Sequence, residues 1–289
     1  MLTKAQVEQY HEQGWLVLPA FLDAAETRAL SAATESLVES ARGLTAHTEL
    51  YDLEDTHRPD APRVRRLKMP HLHHPAFADL VRHPRVIKVL EQLWGTGVRF
   101  DTSKLNMKAA GYGAPVEWHQ DWAFYPHTND DLAAVGFMLD PVEETNGPMM
   151  VVPGTHKGPV FDHHADGVFC GAMDPVRDGV DLARAVALTG PAGSITIHHC
   201  RIVHGSAANR SGRPRRFLLH QYRAADAWPL LGVRDYGDYG RQLLSGEETI
   251  TPRIEPVPVR LPLPPAPNQG SIYENQKAAR QRYFEPAAW

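Results

Sequence analysis

The chain carries two successive patterns of hydrophobic and polar positions. Up to about residue 95, apolar residues recur every three or four places, which is helical spacing. Residues 3–14 predict a short helix with Thr3 as N-cap, and Gly14-Trp-Leu-Val-Leu-Pro-Ala-Phe-Leu22 predicts a buried strand running into a turn. Asp23 then caps an amphipathic helix reaching about Arg42, while the polar segment 43–62 reads as an exposed, mobile loop. Residues 76–94 predict a further helical stretch with Leu80, Val81, Ile87, Leu90 and Leu93 as its apolar stripe.

From about residue 97 the spacing changes to strands and turns. Val98–Ala110 alternates, with Phe100, Thr102, Lys104, Asn106 and Lys108 on one face and Asp101, Ser103, Leu105 and Met107 on the other. Strands are also predicted around His119, over Leu132–Asp140, Met149–Val152, Ser194–Val203 and Arg215–Tyr222. Glu144-Thr-Asn-Gly-Pro148 is a turn, and 156–180 is a long His- and Gly-rich excursion with the length of a lid. The Pro-rich stretch 256–267 reads as extended, and 274–284 as a short helix or a mobile tail. Helices followed by many short strands predict a mainly β protein with helical buttresses and a double-sheet jelly-roll core. We expect a single domain over 1–289, with a helical N-terminal region over 1–95, a core of about 97–225 and a C-terminal extension 226–289.

Composition narrows the classes. With 289 residues, 43% hydrophobic and 22% charged, the chain can bury a large core, and β sandwiches of this length often form one domain. A net charge of −4 gives no global field for nucleic acid, and Arg63, Arg65, Arg66 and Lys68 form a local basic run that reads as a solvated face. The two cysteines, Cys170 and Cys200, lack the spacing of a disulfide scaffold or zinc ribbon and fit buried thiols in a reducing cytoplasm. Neither a signal-peptide core nor a membrane-length apolar run occurs, so the expected partner is a small molecule. Oligomeric state is not legible.

The candidate chemistry lies in His119-Gln-Asp121, followed 83 residues later by His204 and then by Arg215. Two histidines and a carboxylate are the ligand set of a facial triad, which holds Fe(II) on one side and leaves the other positions open. With 16 histidines, roughly one His-x-Asp is expected by chance, and the chain has two. Context separates them. Val116 and Trp118 alternate against Glu117, His119 and Asp121, so in a strand His119 and Asp121 would share a face. The second copy, His164-Ala-Asp166, lies in a polar, Gly-ended loop. His198, Cys200, Ile202 and His204 fall on one face of the predicted strand 194–203 and its end, with His199 opposite; His198 and His199 read as core or interstrand histidines. Arg215 follows His204 by 11 residues, across the turn Asn209-Arg-Ser-Gly-Arg-Pro214, and shares an inward face with Phe217 and Leu219. An arginine there can pair bidentately with a carboxylate deep in the barrel, and Ser206 can add a hydroxyl. Arg210 and Arg213 read as surface.

Taken together, several motifs resemble the phytanoyl-CoA dioxygenase family of Fe(II)- and 2-oxoglutarate-dependent oxygenases. They are the opening helix with Gly14-Trp-Leu-Val-Leu-Pro19, Trp118-His-Gln-Asp-Trp122, Asn146-Gly-Pro-Met149, Val152-Pro-Gly-Thr-His-Lys157 and His204-Gly-Ser-Ala-Ala-Asn-Arg-Ser-Gly-Arg-Pro-Arg-Arg216, spread over residues 1 to about 225. Thr155 stands where the family often has serine. The resemblance implies a double-stranded β-helix and a cycle using O2 that releases succinate and CO2. It implies His119, Asp121 and His204 as iron ligands, Arg215 and Ser206 as holders of the far carboxylate of 2-oxoglutarate, and Asn106 as a further cosubstrate contact. Halogenating relatives lack the carboxylate that Asp121 supplies, so the implied reaction is hydroxylation, with desaturation or ring formation open to the same oxidant.

Substrate contacts are less defined. Trp122, Phe124 and Tyr125 follow the metal strand and could floor a pocket, or be core. His163 and His164 could reach substrate from the lid, or be solvated. Lys104 and Lys108 share the face of Asn106 and could meet an anionic substrate, or be surface lysines. Two other classes compete: a facial-triad oxygenase that does not use 2-oxoglutarate, and a non-enzymatic metal- or ligand-binding barrel. An inward Arg215 speaks against the first, and an intact triad with a lid-length loop against the second. Acyl-CoA, amino acid, natural product and phosphonate substrates all remain open.

Overall fold

The computed structural model of the chain describes residues 1–111, 113–260 and 271–285. Two antiparallel sheets pack face to face, and helices cover the outer face of the larger one. In chain order the elements are α1 (Lys4–Gln13), β1 (Trp15–Leu18), α2 (Ala24–Glu39), β2 (Tyr51–Leu53), β3 (Val64–Lys68), α3 (Pro75–Val81), α4 (Pro84–Trp94), β4 (Val98–Lys108), β5 (Val116–His119), β6 (Leu132–Met138), β7 (Met149–Val151), β8 (His164–Ala165), β9 (Val168–Phe169), β10 (Val186–Leu188), β11 (Ile195–His199), β12 (His204–Ser206), β13 (Arg215–Ala224), α5 (Tyr236–Arg241) and α6 (Ile272–Gln276). The large sheet runs β1-β11-β6-β13-β4-β3-β2, the small one β10-β7-β12-β5, and β8-β9 is a separate hairpin. This is the mainly β, helix-buttressed jelly roll that the patterning predicts.

Alternation along β13 shows how the layers form. Phe217 and Leu219 point between the sheets and pack with Met149, Val151 and Leu188 of the small sheet. Leu218 points the other way, toward Tyr10, Leu30, Phe77 and Leu90 of the helices. With both faces covered, the central strands bury nearly every side chain, which is why β6 reads as an apolar run, while β13 buries polar residues as well. The helix ends follow their caps: Thr3 and Asp23 each form a capping box, and Gly14 closes α1 in the left-handed conformation.

Several expectations are corrected. The stretch 76–94 is two helices, because Pro84 lacks an N–H and occupies the first turn of α4 after the break at Arg82-His83. The helix from Asp23 ends at Glu39 rather than Arg42. The segment 43–62 is not wholly an exposed loop, since β2 within it is buried and pairs with β3. That pairing places the basic run in the sheet, so Arg65 and Arg66 are buried rather than solvated. On β4 the register slips between Gln221 and Tyr222 of β13, leaving Asp101 as the extra residue of a bulge. Phe100 therefore joins the helix-side cluster instead of sharing the face of Lys104 and Asn106. The predicted strand 194–203 is cut at His199: the chain turns through Cys200-Arg201-Ile202 and moves from the large sheet to the small one. The helix predicted over 274–284 lies at Ile272–Gln276; residues 256–260 form no regular element, and 261–267 lie outside the described residues. Cys170 and Cys200 are free and buried. Among the described residues, no helix is long and apolar enough to cross a membrane.

Candidate metal centre

His119 ends β5 and His204 begins β12, and the two are register partners in the small sheet with ring centroids 4.1 Å apart. Asp121 is not on the strand with His119, as the alternation suggested. It opens a 3-10 turn, Asp121–Ala123, which swings its carboxylate back beside the imidazoles. One ligand atom from each of His119, Asp121 and His204 lies within 4.8 Å of the others, and all three residues are buried. No other such group of ligand-type side chains occurs among the described residues. The second His-x-Asp does not form one: His164 hydrogen-bonds Asp162 at 2.8 Å, and Asp166, in the hairpin turn at φ 53°, pairs with Arg280.

The donor set is oriented by the backbone. Nδ1 of His119 meets the carbonyl of Glu117 at 2.8 Å, and Nδ1 of His204 meets that of Ile202 at 3.0 Å. A carbonyl only accepts, so both Nδ1 atoms carry the proton and both Nε2 lone pairs are free to ligate, as in metal sites generally. Burial lowers the pKa of His119 to about 4 and that of His204 well below its ordinary value, so both imidazoles stay neutral. Burial alone would raise the Asp121 carboxyl, but the Lys104 ammonium and a hydrogen bond from His198 hold it well below the usual range. Two imidazole nitrogens and an ionised carboxylate suit a divalent transition metal.

Residues around the triad complete it. Nζ of Lys104 is 3.8 Å from Oδ1 of Asp121, His198 Nε2 is 3.6 Å from its Oδ2, and Gln221 Nε2 donates to that oxygen at 3.5 Å. His198, expected as an ordinary core or interstrand histidine, thus faces the triad from the end of β11. Gln120 sits between two candidate ligands and is fully buried. Its side chain donates to Arg201 O at 2.8 Å and Pro159 O at 3.1 Å and accepts from Phe161 N at 2.9 Å. Sequence reasoning passed over Gln120 because a single glutamine carries no periodic signal.

A narrow cavity of about 40 Å³ adjoins the triad. Lys104, Asn106, His119, His204, Ser206 and Arg215 supply its polar lining, with Val116, Met149, Phe217, Leu219 and Ile272 as apolar walls. Arg215 is buried and donates through Nε to Gly147 O at 3.1 Å and through Nη2 to the same carbonyl. Burial brings its pKa down to about 10, which leaves it a cation at neutral pH. The amide oxygen of Asn106 is buried without a partner. A cation and a hydroxyl at the triad's edge fit a dicarboxylate cosubstrate, toward which the amide NH2 of Asn106 can donate. Lys108 is neither a surface residue nor among the lining residues. It is buried behind Ser206 and donates to Ser206 Oγ at 2.8 Å and to Ala207 O.

The remaining candidates separate. Trp122 is core, with its Nε1 donating to Pro258 O at 2.8 Å, so it does not floor a pocket. Phe124 lies edge-on to His119 at 6.2 Å, and the Tyr125 hydroxyl accepts from Gln221 beside Asp121. His163 is neither solvated nor free to meet substrate: its Nε2 accepts from Gln120 N at 2.9 Å, which ties the 156–180 excursion to the metal strand. His164 lines a larger cavity of about 510 Å³ between the β8-β9 hairpin and residues 279–281, and no triad residue reaches it.

The family described as Phytanoyl-CoA dioxygenase (PhyH) matches residues 10–217. A probable alpha-ketoglutarate-dependent hypophosphite dioxygenase of Stutzerimonas stutzeri is 40% identical over 283 residues, covering 96% of this chain and 99% of that protein. The L-proline trans-4-hydroxylase of Streptomyces griseoviridis is 31% identical, with 78% of this chain and 88% of that protein covered. Among solved structures, a non-heme alpha-ketoglutarate-dependent carbocyclase from nogalamycin biosynthesis superposes with a TM-score of 0.63 at 27% identity, covering 85% of this chain and 94% of that one.

Proposed function

The chain belongs to the phytanoyl-CoA dioxygenase family, and from that premise we propose that it is an Fe(II)- and 2-oxoglutarate-dependent dioxygenase of the hydroxylating type, with His119, Asp121 and His204 as its iron ligands. One observation carries the ligand assignment. Two buried imidazoles, each tied through Nδ1 to the carbonyl two residues back, turn their Nε2 atoms toward one carboxylate. Fe(II) with bound 2-oxoglutarate and O2 supplies the oxidation, one oxygen atom entering the substrate and the other succinate, with loss of CO2.

The chain's own residues bind, orient and exclude water. Arg215 and Ser206 hold the far carboxylate of 2-oxoglutarate, and the Asn106 amide meets the cosubstrate along its length. Phe217, Leu219, Met149 and Ile272 keep the chamber dry, which strengthens every charge interaction inside it. His198 and Gln221 hold Asp121 in place. The buried guanidinium of Arg215 favours this reading over an oxygenase without 2-oxoglutarate, since a dry arginine calls for an anion. The substrate is a small molecule, and the full-length resemblance to the hypophosphite dioxygenase makes hypophosphite the first to try. The chain works as a single domain, and its free, buried thiols suit the cytoplasm.

The test is anaerobic addition of Fe(II) and then 2-oxoglutarate, following the visible charge-transfer band of the chelate. Wild type should develop the band, His119→Ala should lose it, and Arg215→Ala should need far more 2-oxoglutarate. Iron binding without a band would reject the cosubstrate; no iron binding would reject the triad.

A further inference from the structure

β3 lies beside β4 with Arg66 opposite Asn106 and Lys68 opposite Lys104. Directly opposed residues share a face, so Arg66 projects on the side of the sheet from which Asn106 and Lys104 line the cavity. Arg66 is 9% exposed, and its Nε is buried without a partner. Among the described residues its guanidinium donates no hydrogen bond and forms no ion pair. The acid on its own face, Asp52 of β2, stands opposite it and attracts it through space without an ion pair, its nearer contact being Lys68 at 3.7 Å. Among the described residues Lys104 pairs only with Asp121, at 3.8 Å, and that carboxylate is also shared with His119, His198 and Gln221. Two buried cations therefore converge on one side of the triad with less negative charge than they need. Burial disfavours both, and they repel one another.

These cations are poorly placed for the cosubstrate's far carboxylate. β4 separates β3 from β13, so Arg66 and Arg215 flank the row of Lys104 and Asn106 from opposite sides, two strand spacings apart, or about 10 Å. Arg215 already stands with Ser206 at the other end of the cavity. Fe(II) and 2-oxoglutarate carry equal and opposite formal charges, so their binding leaves the surplus on Arg66 and Lys104 uncompensated.

Resting on the dioxygenase reading, we propose that Arg66 and Lys104 form an oxoanion subsite that selects a compact, singly charged substrate of the phosphinate class. A planar guanidinium and an ammonium can bind two oxygens of such an anion and leave its P–H bond turned toward the metal. The reaction balances: phosphorus is oxidised by two electrons as P–H becomes P–OH, 2-oxoglutarate supplies the other two through its decarboxylation to succinate, and O2 is fully reduced.

The experiment uses the Fe(II)-loaded enzyme with 2-oxoglutarate, hypophosphite as probe and L-proline as the competing arm. Succinate release and phosphite formed are measured together. Wild type should convert hypophosphite to phosphite. Arg66→Met should raise the KM for hypophosphite about tenfold or more while the Fe(II)–2-oxoglutarate band forms at unchanged cosubstrate concentration, and Lys104→Met should raise that KM as much while also weakening the band, because Lys104 faces Asp121. Lys104→Arg should recover some of the loss, which a structural role would not predict, and it serves if Arg66→Met fails to fold. A rise in the KM for 2-oxoglutarate instead, no change in either variant, or turnover of L-proline but not hypophosphite would overturn the subsite. Absence of the band in wild type would overturn the dioxygenase reading and the subsite with it.

Discussion

The ammonium of Lys108 donates to Oγ of Ser206 at 2.8 Å, so the hydroxyl beside the triad is held by a buried cation that is also the register partner of Arg215. Ser206 offers its oxygen to Lys108 and keeps its proton for another acceptor. Burial, and then the neighbouring Arg215 guanidinium, lower Lys108 well below its ordinary pKa. On the proposed reading, in which Ser206 holds the far carboxylate of 2-oxoglutarate, Lys108 is a positioning residue.

Lys108→Met keeps the length of the side chain and removes its charge. We expect the KM for 2-oxoglutarate to rise about tenfold, equivalent to roughly 1.4 kcal/mol, with kcat nearly unchanged. Cosubstrate titrations at saturating iron read this directly. An unchanged KM would show that Ser206 needs no such support.

Gln120 joins three segments around the centre: the metal strand, the start of the 156–180 excursion and the turn before His204. Gln120→Ala leaves the carbonyl of Arg201 and the N–H of Phe161 without these partners. Loss of such a supporting bond commonly weakens metal binding about 10- to 100-fold, and we expect Fe(II) affinity to fall within that range. Competition with a chelator measures it, and retention of full affinity would contradict the clamp.

Glu54 is buried with one carboxyl oxygen unpartnered, and burial raises its pKa from 4.5 to about 7 although Arg65 pulls it down. The folded protein therefore prefers the protonated acid. Its contribution to stability is complete below pH 4.5 and is lost as pH rises through about 7. Glu54→Gln should be more stable than wild type at pH 8 by on the order of 1–3 kcal/mol, with little difference at low pH. Thermal melts across that range decide the matter; parallel curves would refute the assignment.

Legibility in the sequence followed the range of each interaction. His119 with Asp121, and His204 with Arg215, could be found because a short spacing and a hairpin turn relate the members of each pair, whereas the 83 residues between the pairs are closed by the pairing of β5 with β12, which only the family resemblance implied. Their mutual arrangement differed in detail, since Asp121 lies on a 3-10 turn that periodicity does not announce. Arg66 was misplaced, and the approach of the buried interstrand His198 to Asp121 was missed, for a different reason. Arg66 looked solvated because nothing in Arg63-Val-Arg-Arg66 reveals that β3 is covered on both sides. His198 depended on a turn at 200–202 that moves the chain between sheets, and an unbroken apolar run hides such a corner.

The division of labour between the sheets has a last consequence. The two histidines of the triad lie on the small sheet and Asp121 just beyond its edge strand, whereas Arg215 stands on the large sheet. With iron at the triad and the far carboxylate on Arg215, a single dicarboxylate must reach from one layer to the other. The gap between the layers is set by packed side chains such as Phe217 against Met149, and a close-packed interior does not stretch. The sandwich then acts as a ruler. A 2-oxo diacid one methylene shorter, oxaloacetate, cannot touch both ends at once, and one methylene longer, 2-oxoadipate, must buckle between them. Discrimination among cosubstrates is in this sense a measurement of the distance between two sheets.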